Sequence, residues 1–308
     1  MKSALAAPPL ASADFPEFAA LLKSWQVRME EALGRRLPDP QAVPARLHEA
    51  MRYSVLGGGK RIRPALVFAT ARTLGLQETA VEAIACAIEF VHVYSLVHDD
   101  LPAMDDDDLR RGRPTCHKVF GDAMAILAGD GLLTLAFEVL AKLDVDAERR
   151  VGLAYELATA SGTIGGMIGG QVNDLEGEGK FPTAHLLGSI HRAKTGALLR
   201  ASVRMGAIYA GADSGQLDAL TRFGEHVGLA FQIVDDVLDV EQPSEALGKT
   251  AGKDVKQKKI TFPAVYGIER SREMAEHERL EAHLALRIFD DRAERLRQLA
   301  DYIVRRRA

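Results

Sequence analysis

Three carboxylates, Asp235, Asp236 and Asp239, interrupt an otherwise apolar helical run over residues 214–240. A packed helix tolerates such a stripe only where something binds it, because a buried charge without a counter-charge is costly. Six aspartates crowd a second stretch, Asp99-Asp100-Leu-Pro-Ala-Met-Asp105-Asp106-Asp107-Asp108, and Arg110-Arg111 follow at once. Carboxylates this dense repel one another in any partly buried site unless cations neutralise them. Hard divalent ions such as Mg²⁺ take oxygen ligands, typically one or two carboxylates plus substrate phosphates. Two acidic clusters beside arginines and lysines therefore point to Mg²⁺-mediated binding of a diphosphate. Taken alone, Asp106 to Asp108 reads as a solvated acidic loop.

The scaffold carrying these clusters reads as helical. Aromatics are only 6% of the 308 residues, and alternating β-branched runs are nearly absent. Apolar periodicity predicts helices over 43–56, ending at Gly57-Gly58-Gly59, and over 64–74 and 78–98. Further helices are predicted over 122–142, 147–168, 183–209, 214–240 and 261–268, with a final amphipathic run over 279–304. Run 78–98 is apolar around most of its circumference, which marks a central buried helix. Long helices with short links imply an all-α fold, a single large helical bundle, with residues 1–308 as one domain. Residues 1–15 read as a frayed tail, and the polar, Gly- and Lys-rich segment 241–259 as a mobile loop.

Composition narrows the function. A net charge of −4 is too small and too mixed to point to nucleic acid. Cys86 and Cys116 form neither a disulfide framework nor a zinc spacing, and Cys86 reads as an inert core residue. No run of about 18 uncharged apolar residues is seen, so no membrane span is expected and a cytoplasmic enzyme is. On helical geometry, Gln232, Asp235 and Asp239 share one face, and His92 and Asp99 share another.

These residues resemble the short-chain polyprenyl diphosphate synthases, the farnesyl and geranylgeranyl diphosphate synthases of bacterial type. The matching segments are GGGKRIRP (57–64), HVYSLVHDDLPAMDDDDLRRGRPTCH (92–117), GGQVND (169–174), KTGALL (194–199), FQIVDDVLD (231–239) and LGKTAGKD (247–254). The resemblance implies the isoprenoid synthase fold, a helical bundle around a central catalytic cavity, and a homodimer. It implies head-to-tail condensation of an allylic diphosphate with isopentenyl diphosphate. Asp99, Asp105 and Asp235 would hold several Mg²⁺ ions, with Asp100 and Asp239 behind them or as alternates. Lys60, Arg63, His92 and Arg111 resemble the isopentenyl site. Arg110, Lys249 and Lys259 resemble the allylic site. Lys194, Thr195 and Gln232 match residues beside the allylic C–O bond, where dipoles stabilise a carbocation. Gln171 and Asp174 match a helix-kink motif lining the cavity.

Product length is read at Tyr94, with the small Ser95 beside it, about one turn before Asp99. In similar enzymes a stiff ring there stops growth at C15, so the resemblance implies farnesyl diphosphate; geranylgeranyl diphosphate, C20, is the alternative. A terpene cyclase fits less well, because Asp235-Asp236-x-x-Asp239 stands where cyclases carry an Asn/Ser/Glu motif. A non-catalytic synthase subunit fits less well too, because both acidic motifs are intact. His98, His117 and Glu89 read as structural, and Arg305 to Arg307 as cations set against a helix dipole.

Overall fold

The computed structural model describes residues 16–241 and 259–306. The described residues are almost wholly helical, as the composition requires. At the centre stands α4 (Glu78–Asp99), with Ile84, Ile88, Phe90 and Val91 fully buried. Its neighbours are α3 (Ile62–Thr73) and α6 (Asp122–Ala141), and α2 (Ala45–Val55) leans on α6. A helix absent from the expectations, α1 (Pro16–Arg36), covers the start of α4. Its buried residues Phe18, Leu22, Trp25, Met29, Ala32 and Leu33 follow helical spacing. Trp25 Nε1 donates to Glu78 at 3.1 Å, and Arg28 pairs with Glu82 at 2.9 Å.

Three expected helices are broken, each at an identifiable place. Run 147–168 stops as α7 (Ala147–Ser161), because Gly162, Gly165 and Gly166 cluster there and Gly165 takes a φ of 68°. The chain restarts as α8 (Met167–Gly177). Run 183–209 is α9 (Ala184–His191), a π turn over Arg192–Gly196, then α10 (Ala197–Ala210). Run 279–304 splits at a 3₁₀ turn, Arg287–Ala293, between α13 (Ile268–Ala285) and α14 (Glu294–Arg305). The remaining helices are α5 (Cys116–Phe120), before α6, and the long α11 (Ser214–Glu241) and short α12 (Phe262–Tyr266), between α10 and α13.

Among the described residues the one sheet is a ribbon of two-residue strands, β1 (Leu109–Arg110) against β2 (Arg113–Pro114). Arg111 and Gly112 turn it with φ of 55° and 73°, the backbone of a tight hairpin. The main core runs from α1 through α4, α6, α10 and α14. A smaller core of Leu187, Ile190, Ile233, Leu238, Ile260 and Phe262 lies behind the second acidic cluster. Neither α4 nor α6 holds an uncharged run of 18 residues, yet by length and composition both are apolar enough to cross a membrane. Burial separates them: 67% of the apolar window of α4 is buried within the fold, but only 33% of that of α6.

Candidate active site

The two acidic clusters meet across one polar cavity of about 210 Å³. The C-terminus of α4 delivers Asp99 and the following loop Asp105; α11 delivers Gln232, Asp235 and Asp236. The π turn presents Lys194 and Thr195, and Lys259 arrives just before α12. A π turn needs space, and glycine supplies it: a Cβ at Gly170 of α8 would overlap the backbone nitrogen of Lys194.

Charge in this cavity is dense and unevenly paired. Burial pushes the Asp99 carboxyl up to about 6, with Lys194 opposing and Asp105 adding to the shift. Lys259 donates to Asp105 at 3.0 Å and lies 3.6 Å from Asp174. Lys194 donates to Asp174 at 2.6 Å. Burial works against it, yet the two lysines hold Asp174 below the usual carboxylate range. Asp100 turns away: it is buried and accepts from Arg110, whose Nε donates at 3.0 Å. Asp100 therefore anchors Arg110. Asp107 is buried as well, 3.5 Å from Arg110, so the stretch Asp106 to Asp108 is not simply a solvated loop.

On α11 the expected face of Gln232, Asp235 and Asp239 is corrected by one position. Asp236 lines the cavity and accepts from Gln232 Nε2 at 2.7 Å, whereas Asp239 is buried outside the lining. Thr195 donates to Gln232 Oε1 at 2.7 Å. Arg306 donates to Asp235, so it is more than a dipole cation. Among the described residues no three His, Cys, Asp or Glu side chains converge as a ready metal cage. The oxygen-only donors on opposite walls instead fit an ion that takes one or two carboxylates and completes its shell with phosphate and water.

A second cavity of about 370 Å³ adjoins the first and shares Leu96, Asp99, Lys194 and Thr195 with it. Its wall is apolar along Met167, Ile168, Val172 and Leu175, and Tyr94 and Ser95 both line it. Tyr94 is buried, and burial followed by the Asp99 charge raises its hydroxyl to about 12. Arg63 and His92 border the same cavity. Burial lowers Arg63 to about 10, and burial with the neighbouring Arg63 charge pushes His92 well below its ordinary value. Gln171 lines it too, with both amide atoms buried and unpaired.

The remaining predicted residues spread outward. Arg111 donates to the Gly58 carbonyl and packs where a Cβ on Gly59 would overlap its guanidinium. Lys60 is exposed and lines neither cavity. Lys249 lies outside the described residues, as does segment 241–259 apart from its two ends. Glu89 forms a buried ion pair with Arg61 at 2.5 Å, His98 meets the Ile126 carbonyl at 2.9 Å, and His117 meets Thr115 at 3.1 Å. Sequence reasoning missed Asp236, His191 and Arg306 as residues of this site. An i,i+4 signal existed for Gln232 and Asp236; none existed for Arg306, 71 residues from Asp235.

Comparison with known proteins agrees with this geometry. Residues 44–303 match the family described as polyprenyl synthetase. The chain is 46% identical over 301 residues to a farnesyl diphosphate synthase of Escherichia coli (strain K12), covering 95% of this chain and 99% of that one. It is also 46% identical over 305 residues to geranylgeranyl pyrophosphate synthase 12, chloroplastic, of Arabidopsis thaliana, covering 96% and 84%. The crystal structure of an FPP/GFPP synthase from Zymomonas mobilis superposes with a TM-score of 0.83 at 38% identity, covering 94% and 99%. With its all-α fold and facing aspartate motifs, the chain belongs to the polyprenyl synthetase family and is a prenyltransferase.

Proposed function

We propose that this prenyltransferase condenses isopentenyl diphosphate with dimethylallyl and then geranyl diphosphate, giving farnesyl diphosphate and pyrophosphate. The observation that carries this reading is the pairing of a carboxylate- and lysine-lined chamber with an apolar cavity. One suits diphosphates and the other a growing hydrocarbon. A volume of about 370 Å³ lies within the ~300–1,000 Å³ typical of small-molecule sites.

Asp99, Asp105 and Asp235 would hold Mg²⁺, which when bound neutralises charge developing on the leaving diphosphate. Lys194 and Lys259, with Lys249 beyond the described residues, give the allylic diphosphate its cationic contacts, and Arg110 is set beside them by Asp100. Arg63, His92, Arg111 and Lys60 serve isopentenyl diphosphate. The oxygens of Thr195 and Gln232 face the developing allylic cation. The released pyrophosphate takes the final proton. Tyr94 closes the apolar cavity beside Ser95 and stops growth at C15.

We further propose that residues 1–308 act as one unit within a cytoplasmic homodimer. The support for a partner copy is the outer side of α6 and α7, which pack together and leave Leu127 51% and Tyr155 71% exposed. The two buried free thiols suit a reducing compartment.

The test is product analysis after incubation with dimethylallyl diphosphate, isopentenyl diphosphate and Mg²⁺, with Asp99→Ala and Asp235→Ala as controls. Each folded variant should lose turnover on the order of 10³-fold. Near-normal turnover in either rejects the two-motif site, and a C20 main product rejects the farnesyl assignment.

A further inference from the structure

Adjacent aspartates of the second cluster both line the cavity but differ sharply in exposure. Asp235 has a side chain 42% exposed, whereas Asp236 is only 3% exposed. Asp236 Oδ1 accepts from Gln232 Nε2 at 2.7 Å, and Oδ2 accepts from the backbone N–H of Phe262 at 2.9 Å. The ring of His191 stacks on Phe262 with centroids 5.3 Å apart, and its Nε2 lies 3.5 Å from Oδ2.

This wiring has a consequence for Gln232. A glutamine amide is nearly symmetric in shape, so only its partners decide which end is oxygen and which is NH₂. An acceptor-only carboxylate at one end fixes the NH₂ there and turns Oε1 toward Thr195. The Thr195 hydroxyl hydrogen is then committed to Gln232 Oε1 at 2.7 Å, which leaves lone pairs and not a positive O–H end to face the cavity. Phe262 follows Lys259 by three residues, so the same carboxylate also pins the backbone that carries Lys259 to Asp105.

We propose that Asp236 is a positioning residue and not a metal ligand: it sets the polarity of the Thr195–Gln232 pair and couples that pair to the placement of Lys259. What the pair stabilises rests on the proposed prenyl transfer; the wiring itself does not.

A donor–acceptor swap tests it. In Asp236→Asn, the new NH₂ either meets a donor, Gln232 or the Phe262 N–H, or flips the Gln232 amide and so reverses the polarity of the Thr195–Gln232 pair. In Gln232→Glu, two carboxylates meet. The double variant restores these three bonds: Asn Oδ1 accepts from Phe262, Asn NH₂ donates to the glutamate, and the glutamate accepts from Thr195. Each single variant should lower kcat by roughly 10²-fold with KM for both diphosphates within about threefold. The double variant should recover at least about tenfold over the worse single, in kcat and in urea midpoint order alike. A double variant no better than the worse single overturns the proposal.

Binding of Mn²⁺ with inorganic pyrophosphate, followed by electron paramagnetic resonance, separates the ligand role. Asp235→Asn should weaken it about tenfold or more, while Asp236→Asn stays within about threefold of wild type. Equal loss in both variants makes Asp236 a ligand and overturns the proposal. A wild-type enzyme without prenyl transfer sinks the proposed reaction instead, and the urea and Mn²⁺ measurements still decide the wiring.

Discussion

The guanidinium of Arg306 lies 4.1 Å from the centre of the Phe231 ring and donates both to Asp235 and, at 3.3 Å, to the Phe231 carbonyl. The C-terminal end of the fold thus supplies a counter-charge to a half-exposed carboxylate of the cavity. A divalent ion at Asp235 has to displace it. Arg306→Ala should therefore tighten Mn²⁺ binding to the substrate-free protein, by about fivefold for a half-exposed pair of ~1 kcal/mol. Titration calorimetry measures this, and weaker binding in the variant would show that Arg306 supports the site and does not compete for it.

Substrate partition follows from burial. Arg63 is buried on the wall of the second cavity and does not line the chamber that holds Asp105, Asp174 and Lys259. Arg63→Ala should raise KM for isopentenyl diphosphate by roughly 10–100-fold, the worth of a charge-assisted bond, with little change for the allylic substrate. A selective rise in allylic KM would reverse the two sites.

On the proposed reading, Tyr94 sets product length through stiffness. Overpacking a filled cavity costs about 1–3 kcal/mol, enough to favour release over another five-carbon addition. Tyr94→Ala should shift product from C15 toward C20 and beyond, read by chromatography of dephosphorylated products. An unchanged distribution would remove Tyr94 as the floor.

Stability should depend on pH through His191. Burial lowers its pKa to about 4 from an ordinary value near 6.5. The imidazole beside Asp236 is therefore neutral at pH 7, so their 3.5 Å contact is not an ion pair. A depressed pKa means the unfolded chain binds the proton first. The stabilisation is complete above about pH 6.5 and is lost as pH falls toward 4, by about 3 kcal/mol on the usual 1.36 kcal/mol per pH unit. Urea midpoints across that window should flatten in His191→Phe, which keeps an aromatic ring for Phe262. An unflattened slope would assign the effect to another group.

Gly170→Ala should be destabilising by roughly 1–3 kcal/mol, since its Cβ meets backbone and not a movable side chain. Thermal unfolding measures this, and a neutral outcome would mean that α8 can back away from the π turn.

The helices and both acidic clusters were legible because their signals are local. Apolar spacing within α4 and α11, and carboxylates grouped over a few residues, survive in one dimension. Helix α1 carried the same spacing and was overlooked beside the tail. The π turn left no trace, because Arg192-Ala-Lys-Thr-Gly196 is compatible with continuous helix and only the approach of Gly170 distinguishes it. Asp236 was hidden by its own motif: its partner Phe262 is met only after the chain returns. Arg306 was hidden by distance along the sequence, and its helix-end position offered a sufficient local explanation.

The two adjoining cavities have only Leu96, Asp99, Lys194 and Thr195 in common. On the proposed reading, bond making belongs to one compartment and length measurement to the other, with those four residues as the frontier between them. On that reading, substitutions at Tyr94, Ser95 or the α8 residues Met167, Ile168 and Val172, which line only the second cavity, can retune how far a hydrocarbon reaches while the charged compartment keeps its lining. A scaffold partitioned in this way can diversify its products without rebuilding its chemistry.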